Sequence, residues 1–193
     1  MCTPDGMPIT WMLRHMGFPN QQRINGPDLM WNYCKMAEQL RQPIFMYGNT
    51  QPTLDRLVQK LHTSFPKLQI VGSYSPPFRT LTEKEDNNII NLINASGAKV
   101  VFVSLGCPKQ ELWMAQHRDK IQAVMVGVGA AFDYHAGTLK RAPLWMQQNG
   151  LEWLYRLYSE PRRLWKRYLV TNTIFMLGAI RQLIVYKFKK QGE

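Results

Sequence analysis

Cysteine is scarce in this chain, with three residues among 193, at positions 2, 34 and 107. None stands in a C-x-x-C pair, and the spacings support neither a zinc site nor a disulfide framework. The expected setting is reduced and cytoplasmic. The first residues are neither basic nor followed by an apolar stretch, so no secretory leader is read there. Acid is the second shortage: 13 Asp and Glu stand against 24 Lys and Arg, a net charge of +11. Several motifs are missing outright. There is no GxxxxGK[ST] phosphate loop and no HExxH, and the histidines at 15, 62, 117 and 135 are scattered. No Asp-x-Asp pair offers ligands for a metal gripping a nucleotide diphosphate, so neither a metal nor another cofactor is expected. There is no internal repeat and no low-complexity tract.

What is present is ordinary globular material, 45% hydrophobic and long enough for one sizeable core. The organising stretch runs from Val100 to Arg141. Val100–Leu105 is a short β-branched run, as a strand covered on both faces requires. Gly106 ends it, and Pro108 suits the first turn of a helix that carries Trp113 and His117. Ala123–Val128 reads as a second buried strand, completing a βαβ unit. Upstream, strands are expected at Ile44–Tyr47 and Leu68–Val71. Helices are expected from Pro27 to about Arg41, behind Thr50, and behind the capping-box pattern Thr82–Glu85. The order β-α-β-α-β-α-β predicts an α/β fold with a mostly parallel sheet flanked by helices. Ligands of such sheets sit outside the carboxyl ends of the strands. Those ends carry the loops at Gly48, Gly72, Gly106 and Gly127–Asp133.

The excess charge is unevenly placed. Residues 139–193 hold 11 basic and 3 acidic side chains, so +8 of the +11 lies in the last 55 residues. Trp145, Trp153, Tyr155, Tyr158, Trp165 and Tyr168 are interleaved with it, and Pro161 breaks or restarts the helix. Basic and aromatic residues interleave in nucleic-acid proteins too. The uncharged run Leu169–Ile180 favours lipid over RNA, because no nucleic-acid groove needs it. At 12 residues that run is short of the roughly 20 needed to span a bilayer, so an interfacial amphipathic helix is expected. Residues 1–141 are read as the core and 142–193 as a basic, membrane-associating helical appendage.

Individual candidates carry two readings each. Asp5 in Pro-Asp-Gly is either a turn residue or a catalytic carboxylate. Asp133 at a strand end could bind a sugar hydroxyl or cap its own loop. Lys109 and Gln110 sit near a helix N-terminus, which favours anions, and Arg141 could add charge there. Gly127-Val128-Gly129 lacks the third glycine of a dinucleotide fingerprint and a helix opening directly on the loop, which argues against NAD.

Taken together, several blocks resemble one family. They are Thr3-Pro4-Asp5-Gly6-Met7-Pro8, Arg23-Ile24-Asn25-Gly26-Pro27-Asp28-Leu29, Ser104-Leu105-Gly106-Cys107-Pro108-Lys109-Gln110-Glu111, Gly127 to Asp133, Lys140-Arg141-Ala142-Pro143, and Gly150 to Leu157 with Glu160-Pro161-Arg162-Arg163. In order and nearly end to end, they resemble the WecG/TagA/CpsF bacterial glycosyltransferases, glycosyltransferase family 26. The resemblance implies a Rossmann-like core and an inverting, metal-independent transferase. Its partners would be a UDP-sugar donor and a polyprenyl-diphosphate-linked saccharide acceptor, at the inner face of the cell membrane. It assigns Asp5 as general base, and Arg23 and Gln110 to the donor diphosphate. The resemblance also implies that Arg156, Arg162, Arg163 and Arg167 belong to an appendage expected to dock on anionic membrane and close over the site. With the strand-end loops added, the expected substrate-binding residues are Arg23, Gly48, Gly106, Lys109, Gln110, Gly129, Phe132, Asp133, Arg141, Arg156, Arg162 and Arg163. Members of the family can self-associate through the core. They usually carry some tens of residues before the Asp block, and this chain is expected to lack them. The alternative expectation is a truncated binder of UDP-sugar or lipid that does not turn over.

Overall fold

A computed structural model describes residues 2–191, without the side chains of 189–191. The outermost ends of the two expected segments, Met1 and Gly192–Glu193, lie outside the described residues. The chain forms two compact units, residues 25–140 and residues 1–24 with 141–193.

The central unit is a Rossmann-like α/β layer structure. Its elements run α2 (Gly26–Leu40), β1 (Ile44–Gly48), α3 (Gln51–Ser64), β2 (Ile70–Tyr74), α4 (Glu83–Ala95), β3 (Val100–Ser104), α5 (Lys109–His117), β4 (Val124–Gly127) and α6 (Ala131–His135). All strand pairings are parallel, in the order β2-β1-β3-β4. From β1 the chain crosses to β2 on one side and then returns past β1 to β3 on the other. The order therefore reverses between β1 and β3, and their carboxyl ends flank the crevice where such sheets take ligands.

Alternation along β1 and β3 builds two cores. Ile44, Met46, Val100 and Phe102 face Met30, Cys34 and Ala37 of α2 and Leu54, Leu57 and Leu61 of α3. Phe45, Tyr47, Val101 and Val103 face Ile89, Ile90 and Ile93 of α4 and Trp113 of α5. Both strands are buried along their whole length, as the apolar runs required. On the second face His117 ties α5 to α4. Its Nδ1 lies 2.7 Å from the Trp113 carbonyl and its Nε2 3.0 Å from both oxygens of Asp86.

Three local expectations are corrected. β4 is not a buried strand: it ends the sheet, so one side lacks a covering strand and Val124 is 65% exposed. β2 begins and ends later than Leu68–Val71. It runs through Gly72, where the Phe45 ring fills the place a side chain would take, 2.5 Å from an added Cβ. A short helix, α6, does open just after Gly129, so the case against a dinucleotide site rests on the missing third glycine alone. The capping box at α4 is present as read: the Thr82 hydroxyl accepts from Glu85 N–H, and the Glu85 carboxylate accepts from Thr82 N–H. At α3, Thr50 is the N-cap residue, but its hydroxyl pairs with that of Thr53 and not with the backbone.

The second unit is helical: α1 (Met7–His15), α7 (Leu144–Gln148), α8 (Glu152–Ser159) and α9 (Pro161–Gln191). Pro161 separates α8 from α9, as read. In α9, Phe175, Ala179, Leu183 and Tyr186 form a partly buried stripe. Leu169, Val170, Ile174, Leu177, Ile180, Ile184, Val185 and Phe188 are exposed. Residues 161–188 make one helix long and apolar enough to cross a membrane. The short uncharged run had suggested otherwise. Arg181 interrupts that run without interrupting the helix, and a long side chain can carry its charge out of an apolar layer.

Candidate active site

At the carboxyl edge of the sheet, the reversal point is held by a network of short polar contacts. Asn49 follows Gly48 in a left-handed conformation, with φ 61°. Its N–H donates to the Ser104 carbonyl at 3.0 Å, joining the ends of β1 and β3. Its amide nitrogen donates to Asp133 Oδ2 at 2.9 Å, and its Oδ1 accepts from Thr50 N–H at 2.7 Å. Its carbonyl accepts from the Ser75 hydroxyl at 2.7 Å. A non-glycine residue held in this region is a strained position that its surroundings must fix. Gly48 is needed beside it, because an added Cβ would overlap the Ser104 carbonyl.

Gln110 is 7% exposed. Its Oε1 accepts from Gly129 N–H at 3.1 Å and its amide donates to Glu111 at 2.9 Å. It reaches the β4–α6 loop because Gly127 has no side chain in the way: a Cβ there would lie 3.0 Å from the Gln110 amide nitrogen. Ser104 Oγ adds a 2.7 Å bond to the Gly129 carbonyl. The loop is thus pinned from two sides. Gly106 and Gly129 both face open space, and Lys109 is exposed at the start of α5. Asp133 is half-buried between Asn49 and the Thr138 hydroxyl, which donates to its Oδ1 at 3.3 Å. Phe132 is fully buried among the α2 and α3 side chains, so its ring supports the loop from beneath.

In the helical unit four charged residues meet. Arg23 Nε donates to the Asp5 backbone carbonyl, and Ile24 N–H donates to the Pro4 carbonyl at 3.1 Å, so the Pro-Asp-Gly turn is strapped to the second loop. Arg23 Nη2 lies 2.7 Å from Glu152 Oε2 and 3.6 Å from Asp5 Oδ1. The Arg23 and Glu152 side chains are 17% and 15% exposed, whereas that of Asp5 is 67% exposed. Crowding by the surrounding protein raises the Asp5 pKa above its ordinary value. Arg23 pulls it down, Glu152 pushes it up, and Arg156 pulls it down. Arg156, one turn beyond Glu152 on α8, has a buried Nε without a hydrogen-bond partner among the described residues. Arg141 is half-buried and Arg162 exposed, and Arg163 pairs with Glu160 at 2.6 Å.

The structure therefore brings together Asp5, Arg23 and Arg156 in one unit, and Gly48, Gly106, Gln110, Gly129 and Asp133 at one sheet edge of the other. Sequence reasoning passed over Asn49 and Glu152. Asn49 was signalled only by its place after a strand-ending glycine, and Glu152 only by lying in the Gly150 to Leu157 block of the resemblance, which gave it no role. Among the described residues, no group of three or more His, Cys, Asp and Glu could hold a metal ion. The buried Cys34 thiol is pushed up to about 12 by burial, which leaves it a packing residue.

The sequence profile of the Glycosyl transferase WecG/TagA/CpsF family matches residues 1–189. The N-acetylglucosaminyldiphosphoundecaprenol N-acetyl-beta-D-mannosaminyltransferase of Bacillus spizizenii is 35% identical over 167 residues, 86% of this chain and 63% of that protein. The enzyme of the same description from Bacillus subtilis strain 168 is 36% identical over 170 residues, again 86% of this chain and 63% of that protein. The chain thus spans a little under two thirds of the length of these curated relatives. With matched blocks running from the Asp5 turn to α9, the chain belongs to the WecG/TagA/CpsF glycosyl transferase family.

Proposed function

We propose that the protein is an inverting glycosyltransferase that moves a sugar from a UDP-sugar to a saccharide carried on a polyprenyl diphosphate. The observation that carries this reading is Asp5: an exposed carboxylate on a turn strapped by Arg23, with the Arg23 guanidinium 3.6 Å from it. The relatives' names place their chemistry on a diphosphoundecaprenol-linked acceptor and a mannosaminyl group, which supports the acceptor class. UDP as the carrier and independence from metal come from the family resemblance and are part of the proposal.

In the reaction, the acceptor hydroxyl gives its proton to the Asp5 carboxylate as its oxygen attacks the anomeric carbon. The bond from that carbon to the donor's diphosphate oxygen breaks with its electron pair, and UDP leaves from the opposite face. General-base help of this kind is worth about 10²–10⁴-fold. Negative charge grows on the leaving diphosphate, where fixed cations stabilise it most. Arg156, Arg162 and Arg163 are the cations assigned to it. Arg23 serves chiefly to place Asp5, given its contacts with the Asp5 backbone and Glu152. In the core unit taken by itself, the pinned loop at Gly129 and the open space at Gly106 suit a nucleotide. The exposed apolar face of α9, with the basic residues before it, is assigned to the anionic inner leaflet, where the lipid-linked acceptor resides.

The test has two arms: calorimetric titration of UDP, and sugar transfer to a short-chain polyprenyl-diphosphate saccharide with a panel of UDP-sugars. Binding and transfer support the reading. UDP binding without transfer by any donor would replace it with the non-catalytic binder, and neither would overturn both.

A further inference from the structure

We infer that Glu152 is a positioning residue for the base: it draws the Arg23 guanidinium away from the Asp5 carboxylate, leaving that carboxylate free to take a proton. The inference rests on the reading of Asp5 as the base, and it concerns a residue which that reading does not use.

The geometry decides between two ways of arranging three charges. One guanidinium nitrogen, Arg23 Nη2, has two carboxylates to choose from. It lies at hydrogen-bond distance from Glu152 Oε2, 2.7 Å, and beyond that distance from Asp5 Oδ1, 3.6 Å. The preferred pair is also the sheltered one, with both side chains less than one fifth exposed and Asp5 two thirds exposed. An ion pair is stronger where water is kept away, so the sheltered pair outcompetes the exposed one for the shared cation. Meanwhile Arg23 Nε holds the Asp5 main-chain carbonyl. Arg23 thus fixes where Asp5 stands through the backbone, while its closer charge contact is with Glu152; it still pulls the Asp5 pKa down from 3.6 Å, and Glu152 opposes that pull. A general base needs this balance: a carboxylate locked in a close guanidinium pair is well placed but weakly basic.

Two further groups complete the surroundings of Asp5. Arg156, from the same helix as Glu152, lowers its pKa, and Glu152 itself raises it through like charge. Two carboxylates and two guanidiniums then balance. Removing the Glu152 charge leaves two cations for one carboxylate, and Arg23 turns to Asp5.

The experiment uses the protein with Glu152→Gln, Glu152→Asp and Asp5→Asn. The first measurement needs no turnover: ¹³C NMR titration of the Asp5 carboxyl, assigned by its loss in Asp5→Asn. In Glu152→Gln the midpoint is expected to fall. In Glu152→Asp, which keeps the charge, it stays close to the parent value. The second is the pH profile of sugar transfer. Glu152→Gln moves the acidic limb of kcat/KM to lower pH and lowers plateau kcat roughly tenfold, with donor KM unchanged. A merely structural role would lower activity at every pH without moving the limb. An Asp5 midpoint that is unchanged or higher in Glu152→Gln overturns the inference. Transfer that survives Asp5→Asn sinks the assignment of the base itself, a separate failure.

Discussion

At Gly48 the backbone turns with φ 115° directly against the Ser104 carbonyl. Glycine alone fits, for two reasons that add: the dihedral region and the absence of a Cβ. Gly48→Ala is expected to destabilise the protein by about 2 kcal/mol or more, read as a lower urea midpoint, because it must shift a buried strand end. A change under about 0.5 kcal/mol would show that the junction of β1 and β3 is slack. This position was legible as a strand-ending glycine, but what it packs against was not, since Ser104 lies 56 positions along the chain. Still longer separations, 129 and 84 positions, hid Glu152 from Arg23 and Asn49 from Asp133. Local patterns report backbone geometry, and long-range pairs between charged or amide groups leave no local trace. Phe132 shows the reverse: it stands in a block expected to bind ligand, and its aromatic side chain packs in the core.

Among the elements, α4 is the one whose start is most fully specified. Its capping box is reinforced by Arg79, whose guanidinium bonds both Glu85 oxygens at 2.8 and 2.6 Å. Arg79, then the Thr82 backbone N–H and hydroxyl, hold the Glu85 carboxyl down to about 2. The carboxylate is favoured in the folded state, so its contribution is complete above the free value near 4.5 and is lost as pH falls toward 2. Thr82→Ala removes the N-cap oxygen and is expected to cost about 1 kcal/mol in urea unfolding at neutral pH. No measurable loss would mean that the first turn of α4 is frayed. Capping signals, strand runs and apolar stripes were readable because each is a local demand of one element. β4 was misread because a strand's place at the sheet edge is decided by which other strands exist, and its own residues do not record it.

For the molecule as a whole, charge and apolar surface fall on the same stretch of chain. Residues 139–193 carry +8, and α9 exposes Leu177, Ile180, Ile184 and Val185 over a helix of some 42 Å at 1.5 Å per residue for residues 161–188. Leu177→Glu with Ile184→Glu places two carboxylates on that face. Binding to phosphatidylglycerol vesicles in a co-sedimentation assay is expected to fall at least tenfold, while α4 and the sheet keep their urea midpoint. Vesicle binding that is unchanged would assign the face to something other than lipid.

The central claim is that Asp5 takes the acceptor's proton during sugar transfer. The most direct measurement is single-turnover transfer from a UDP-sugar to a polyprenyl-diphosphate saccharide by the parent protein and by Asp5→Asn, with UDP affinity measured alongside. The account predicts a loss of about 10²-fold or more in Asp5→Asn with UDP affinity retained. Transfer by Asp5→Asn at the parent rate would contradict it.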